Sequence, residues 1–538
     1  MRLCHSRRLL ALFCAATIAA GAASTARLAR AAAPSERDVW WRNGVCYEVF
    51  VRSFYDSDGD GIGDLKGLIA RLDYINDGNP RSTRSLGANC IWLMPIDKAT
   101  SYHGYDVVDY YHVDPHYGTD NDFRELVREA HRRGIHVIVD FVPNHSSSEH
   151  PFFQAALLDP NSRYRGWYRF RSAKPTQLGP WGQPAWHRSP VRDEYYWGVF
   201  WHGMPDWNYE NPAVLNEMVN VTKYWLTTMH ADGFRFDAIP YLVEDGNILQ
   251  HSRGTHDVLR RFGNEIRARS PQSFTVGEES DMAALPTYYP DQLDSYFEFG
   301  VAAGTMEAAR TGSAASFIRE ITRANGLPEG RWAPFLTNHD QPRVMTVVKG
   351  DVARARVAAS AMLLLPGTPF VYYGEEIGMI GDKPDEQIRT PMQWSAATGG
   401  GFSNGKPWEP LQPDWATNNV ASQTDDPASL LNHYRRLIHL RHAHVALSRG
   451  DMTVGSANNT AVTAYSRHSG GESIFVVVNF GEATARGVTA TFSAPLSLTG
   501  GRLLYADPGN GCGTVAVGSD GKTLTVASIA AFGLCVYR

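Results

Sequence analysis

The chain has 538 residues, 43% of them hydrophobic and 20% charged, with a formal net charge of −5. This is ordinary globular composition with ample core material, and its length suggests two to four domains. So small a net charge removes the electrostatic case for a nucleic-acid or anionic-membrane partner.

Residues 1–33 read as a signal peptide. Arg2, Arg7 and Arg8 precede the apolar run LLALFCAATIAAGAA, small residues follow, and cleavage is expected between Ala23 and Ala33. The run is too short to cross a bilayer comfortably. The expectation is a secreted or periplasmic protein with no membrane partner once the signal is removed. Export permits disulfides. Cys46 and Cys90 lie in apolar, strand-like runs and are expected to be buried thiols. Cys512 and Cys535 flank a β-rich terminal stretch and are the better disulfide candidates.

After the signal, residues 34–144 open with the strand-like VCYEVFV and then the loop DSDGDGIGDL at residues 56–65. Its alternating aspartates resemble an EF-hand. That loop needs a bidentate Glu at its twelfth position, where this chain has Gly67, and it needs a preceding helix rather than a strand. Carboxylates so crowded repel one another unless a hard cation gathers them. The expected ligands of a structural Ca²⁺ are the side chains of Asp56, Asp58, Asp60 and Asp64, with the Ile62 carbonyl. The bland alternative is a solvated acidic turn.

Seven further strand-like runs follow: ANCIWLM, IHVIVDFV, ADGFRFD, SFTVGEE, LDSYFEFG, APFLTNHD and PFVYYGEE. Helix-like runs such as DFRELVREAHRRG and NEMVNVTKYWLTTMH fall between most of them. This alternation predicts an α/β fold, a (β/α)8 TIM barrel, with a doubly wound sheet as the structural alternative. Residues 145–210 are too long for one loop and are expected to form a small inserted domain after strand 3. Residues 211–447 would complete the barrel. Residues 448–538 change to short strands split by turn residues, which predicts a C-terminal all-β sandwich.

Four of the expected barrel strands end in polar clusters: DFVPNH with Asp140, Asn144 and His145; GFRFDA with Arg235 and Asp237; VGEES with Glu278; and LTNHDQPR with His339 and Asp340. Barrel chemistry sits at the C-terminal ends of strands. A lone strand-end Asp is more often a helix cap than a catalyst, but four such clusters on one rim point to a site. Arg235 and Asp237 are two residues apart and share a face, so the guanidinium favours an ionised Asp237. Glu278 has no arginine beside it in sequence and is expected to be the protonated partner. Two carboxyls with divergent pKa values suit glycosidic cleavage.

In this order the clusters resemble the conserved regions of the α-amylase superfamily of retaining glycoside hydrolases. The resemblance implies that Asp237 is the nucleophile, Glu278 the acid/base and Asp340 the transition-state stabiliser. It also implies that Arg235, His145 and His339 line the sugar site, and that Tyr105 and Asp106 of HGYDVVDY stack on a sugar and hold its hydroxyls. Arg389, in RTPMQW, is shared with the glucosidases. The metal loop resembles that of the oligo-1,6-glucosidase and trehalose-synthase branches. MPDWN at residues 204–208 resembles an amylase group between oligo-1,6-glucosidases and neopullulanases, whereas DAIPYL and REAHRRG resemble trehalose synthase. Only ten residues separate Gly378 of YYGEEIG from Arg389, which predicts an open cleft suited to longer chains. The expected function is hydrolysis of α-1,4 bonds in starch or maltodextrins. The alternative is an α-glucosidase or a glucosyl-transferring enzyme acting on maltose and short oligosaccharides. A non-catalytic relative would lack one or more of the three carboxylates, all of which are present.

Overall fold

Each of the eight apolar runs becomes one short parallel strand: β1 (Cys46–Val49), β2 (Cys90–Leu93), β3 (His136–Phe141), β4 (Gly233–Phe236), β5 (Phe274–Gly277), β6 (Ser295–Phe297), β7 (Trp332–Ala333) and β8 (Phe370–Tyr372). The computed structural model describes residues 39–538 apart from Lys174, Pro290, Glu329, Thr499, Gly500 and Asn510. The expected signal segment, residues 1–33, lies outside the described residues. Sequential strands pair in order from β1 to β7, and β8 returns to pair with β1. The remaining seam is bridged by the Phe370 amide, which donates to Pro334 O at 2.8 Å. The ring is thus a nearly closed parallel barrel, as the alternation of strands and helices predicts, and not an open doubly wound sheet.

Why the runs are continuous rather than alternating follows from this geometry. Strands β1, β2, β4 and β5 are buried at every residue, because a parallel barrel strand faces side chains inside and helices outside. Trp92, Ile138, Phe274, Val276, Phe335 and Phe370 fill the interior as one cluster, and a larger cluster lies between strands and helices. The helix Asp120–Arg132 shows the outer layer's logic. Thr119 and Asp122 form a capping box, and Phe123, Leu126, Val127 and Ala130 bury one stripe at helical spacing. The helix stops where Gly134 takes φ +71°.

Between β3 and β4 the chain leaves the barrel to form the helix Pro151–Leu158 and a three-stranded antiparallel sheet of Phe170–Arg171, Tyr195–Trp197 and Trp186–Arg188. After the barrel, the described residues form eight antiparallel strands from Asp451–Ala457 to Leu534–Tyr537. The first of them pairs with Val462–Ser469 through Asp451–Gly455 and with Ala485–Thr491 through Ser456 and Ala457. One strand thereby serves both halves of the sheet. Val462, Phe475, Val488, Leu524 and Val526 form the core of this domain.

Cys512 and Cys535 form a disulfide, as expected. The expectation for Cys46 and Cys90 is corrected. They are not free thiols but a second disulfide. The parallel register of β1 and β2 sets the two residues directly opposite, both inside the barrel, with Cα atoms 4.2 Å apart. Forty-four residues of sequence hide that adjacency. Among the described residues, no helix is long and apolar enough to cross a membrane.

Candidate active site

Arg235 organises the carboxylates. It sits on β4, 1% exposed, with its guanidinium carbon 5.1 Å from the centre of the Trp92 ring. Its Nη1 donates to both oxygens of Asp140, at 3.0 and 3.1 Å, and to Asp237 Oδ1 at 2.7 Å. Its Nη2 lies 2.9 Å from Glu278 Oε2. Three carboxyls from the ends of three adjacent strands therefore meet on one buried cation. Strand geometry brings them together: Asp140 is opposite Arg235 in the β3–β4 register, and Val276 of β5 is opposite Arg235 on the other side. The Asp237 amide is anchored on Phe141 O and that of Glu278 on Phe236 O. Ala238 then turns with φ +47° and ψ +36°, left-handed for a residue with a Cβ, and donates its amide to Glu278 Oε2 at 3.0 Å. A conformation costing roughly 1–3 kcal/mol, next to a buried acid pair, is characteristic of functional sites.

The sequence expectation that arginine separates the two acids is corrected here. Arg235 grips Glu278 as well as Asp237, because neighbouring parallel strands put Glu278 within reach of the same guanidinium. Burial pushes both carboxyls up to about 7, against the downward pull of Arg235 and with added repulsion from neighbouring acids. What distinguishes them is geometry. The Asp237 side chain is 12% exposed and has the shorter bond to Arg235, whereas the Glu278 side chain is 23% exposed.

Asp340 arrives after β7. Arg389 Nη2 donates to its Oδ1 at 2.8 Å, and His339 Nε2 lies 3.3 Å from its Oδ2. Burial would raise the pKa of Asp340, but His339 and Arg389 outweigh it and hold the carboxyl below its usual range. Arg389 is the partner that remains charged at neutral pH, since burial pushes His339 down to about 3. Arg389 also donates from Nε to His339 O and from Nη2 to Asp385.

Behind these groups runs a hydrogen-bonded chain. His339 Nδ1 is 2.6 Å from Glu48 Oε1, and its Nε2 is 2.7 Å from the Tyr105 hydroxyl. Burial holds Glu48 well above the usual carboxylate range, against the downward pull of Arg235. The Tyr105 ring stacks on His339 at 5.5 Å and 16°. His145, pushed down to about 4 by burial, is hydrogen-bonded through Nε2 to Tyr105 O at 3.0 Å.

All of these groups line or back one cleft of about 410 Å³, whose walls include Tyr105, His145, Asp237, Glu278, Asp340 and Arg389. A smaller cavity of about 280 Å³ beside Tyr110, His150 and Trp207 lies apart from the acid pair. Asp106 does not reach the cleft wall. It is 2% exposed, and its carboxylate accepts bonds from Thr100 and from the hydroxyl and amide of Ser101. In this structure it braces the loop that presents Tyr105. Sequence reasoning missed Glu48, although a lone acid inside VCYEVFV is a usable signal: a charge within a buried strand needs a partner. It also missed Trp181. This residue is 73% exposed on the cleft wall, with its ring 5.4 Å from that of Phe200, and nothing in its local sequence marks it.

The acidic loop divides. Asp56, Asp58 and Asp64 each present a carboxylate oxygen within 4.8 Å of the others, and Asp56 and Asp64 are buried. Asp60 stays outside that group and accepts the Ile62 amide at 2.7 Å. Asp56 accepts amides from Asp58, Gly59 and Gly61 and the Ser403 hydroxyl at 2.5 Å. Burial would raise the pKa of Asp56, but these donors outweigh it and hold the carboxyl below its usual value. Three converging, charged, hard oxygen donors fit a calcium-type cation. Gly61 has φ +95°, and a Cβ there would meet Lys406 O at 2.0 Å, so only glycine closes the loop against the 403–408 segment.

The family model described as alpha amylase, catalytic domain, matches residues 48–450. Alpha-amylase 3 of Dictyoglomus thermophilum is 37% identical over 448 residues, covering 82% of this chain and 85% of that protein. A trehalose synthase/amylase of Mycobacterium tuberculosis is 32% identical over 502 residues, covering 82% and 81%. The crystal structure of the alpha-amylase from H. orenii superposes with a TM-score of 0.81 at 39% identity, covering 92% of this chain and 99% of that one.

Proposed function

The chain belongs to the α-amylase family of glycoside hydrolases, and from that premise we propose that it is an exported, retaining enzyme that hydrolyses α-1,4-glucosidic bonds in starch or maltodextrins. The observation that carries the reading is the single guanidinium of Arg235 holding Asp237 and Glu278 side by side in the cleft, with Asp340 on the same cleft wall. One planar cation shared by two carboxyls favours the spacing of about 5 Å typical of retaining pairs over the wider gap that admits an inverting water.

In this reading Asp237, oriented by its short bond to Arg235, attacks the anomeric carbon in its ionised form. Glu278, holding its proton at the wetter side of the cleft, gives it to the leaving glycosidic oxygen. A covalent glycosyl-Asp237 results. Glu278, now charged, takes a proton from water, and that water releases the sugar with net retention. Asp340, kept ionised by Arg389, faces the positive charge that develops at the sugar ring and holds hydroxyls there. Tyr105 supplies an apolar face for the ring, and neutral His145 and His339 supply hydrogen bonds without adding positive charge.

Chain-length preference rests on the mouth of the cleft. Trp181 and Phe200 add an aromatic wall to the cleft, and the connection from Gly378 to Arg389 is only ten residues long. Both favour polymeric over disaccharide substrates. Two disulfides suit the oxidising surroundings of an exported protein. A structural Ca²⁺ held by Asp56, Asp58 and Asp64 would tie the loop after β1 to the segment at Ser403, with no part in the chemistry. Chromatography of products from maltose, maltoheptaose and starch tests the reading. Short maltooligosaccharides released from starch support it, and trehalose accumulating from maltose replaces it with glucosyl transfer.

A further inference from the structure

On the opposite, N-terminal face of the barrel lies a group that the reaction does not use. We propose that His131, His136 and Asp232 form a second metal site that binds one borderline divalent transition ion, Zn²⁺ by type. One ligand atom from each residue lies within 4.8 Å of the other two. His131 Nε2 is 2.8 Å from Asp232 Oδ2, and His136 Nδ1 is 3.4 Å from Asp232 Oδ1. The 2.8 Å contact is a direct hydrogen bond between His131 and Asp232, which a metal ion would replace by drawing both ligands onto itself.

The donor set selects the ion. Two imidazole nitrogens and one carboxylate oxygen suit zinc and its neighbours, whereas calcium and magnesium take oxygen. Three protein ligands leave a fourth position for water, and His131, 43% exposed, opens the site to solvent. The spacing is H-x₄-H, within the range found for histidine pairs on zinc. The first imidazole closes the helix Asp120–Arg132, Gly134 makes the turn, and the second opens β3.

The site is already built. Asp232 Oδ2 accepts the Val137 amide at 2.7 Å. The Asp232 backbone also bonds to both neighbouring strands, to Val137 O and from the Phe274 amide. Trp40 stacks on the His136 ring at 3.9 Å and 13°, and its own Nε1 is anchored on Gln272 O. His136 Nδ1 is buried, faces Asp232, and makes no well-formed hydrogen bond. Nearby cations are engaged elsewhere, Arg132 with Glu129 and Arg133 with Glu129 and Asp73. A metal ion here would staple a barrel helix to the starts of two strands, a stabilising role suited to this face of a barrel.

The test uses the whole mature protein, stripped with chelator and returned to excess Ca²⁺ so that the acidic loop is filled. Equilibrium dialysis against Zn²⁺ alone should then load one ion per chain and raise the melting temperature saturably. Co²⁺ in its place should give the visible absorption of a low-coordinate nitrogen–oxygen site. His136→Gln and His131→Gln should each abolish the bound ion and the Zn²⁺-dependent melting shift while leaving starch hydrolysis unchanged. Absence of stoichiometric Zn²⁺ in the unmodified protein would overturn the proposal. So would stoichiometric Zn²⁺ retained by both variants. If a variant does not fold, the Co²⁺ spectrum of the unmodified protein decides.

Discussion

Arg235 Nη2 lies 2.9 Å from Glu278 Oε2 while Nη1 of the same side chain lies 2.7 Å from Asp237 Oδ1. The two acids are therefore one electrostatic unit, and removing either changes the other. Asp237→Asn should lower kcat by on the order of 10⁴-fold or more, as removal of a nucleophile does. Glu278→Gln should lower it by about 10²–10⁴-fold, with the smaller loss on substrates whose leaving group needs no proton. Rates on starch and on an aryl glycoside of low leaving-group pKa measure both. Equal losses on the two substrates for Glu278→Gln would contradict its role as acid.

The pH profile follows from burial. The Glu278 carboxyl is pushed up to about 7, so the protonated acid is present below that value and lost above it. The kcat/KM of the free enzyme should fall on an alkaline limb near neutrality. The acidic limb reports protonation of the coupled partner, so both limbs belong to the pair. Replacing Arg235 by Lys removes the fork, and both limbs should then move upward. A profile with a flat alkaline side through pH 9 would refute the assignment.

Trp181 presents its ring to solvent on the cleft wall. Trp181→Ala should raise KM for maltoheptaose by about 2–12-fold, the worth of one aromatic contact of about 0.5–1.5 kcal/mol. Maltose, which fills fewer sugar positions along the cleft, should show a smaller change. Parallel effects on both substrates would mean that the tryptophan supports the fold rather than the substrate.

Chelation should act on stability before chemistry. Asp56, Asp58 and Asp64 repel one another without a cation, and the loop lies against the 403–408 segment. Chelator is expected to lower the melting temperature, and Ca²⁺ to restore it in a concentration-dependent way. Asp56→Asn should reproduce the loss and make it insensitive to Ca²⁺. A melting curve indifferent to both treatments would leave the loop as a simple acidic turn.

Between barrel and terminal domain, Asp507 pairs with Arg356, and His433 Nδ1 is 3.5 Å from its Oδ2. Burial would raise the Asp507 pKa, but His433 and Arg356 outweigh it and drive it far below the usual value. A depressed carboxylate stabilises fully above its unfolded pKa of about 3.9, and that contribution is lost as pH falls toward the folded value. Asp507→Asn should cost about 3–5 kcal/mol at neutral pH, as loss of one partner of a buried pair does. The difference from the parent should shrink below about pH 4. Denaturant melts at pH 7 and pH 3.5 would show it.

The order of elements, the eight barrel runs and the positions of Asp237, Glu278 and Asp340 were all legible in the sequence. Each depends on local rules: buried parallel strands read as unbroken apolar runs, and barrel chemistry follows their ends. The clustering of Asp56, Asp58 and Asp64 was legible for the same reason, since spacing within ten residues is a local property. Only the tertiary structure decided what depends on register. It set Cys46 against Cys90, put Glu278 on the same guanidinium as Asp237, buried Glu48 against His339 and joined His131 and His136 to Asp232, about a hundred residues away. Lateral neighbours in a parallel barrel are separated by a whole helix or more of chain, so no window of sequence contains both partners, and the electrostatics of the site exists only after the ring has closed.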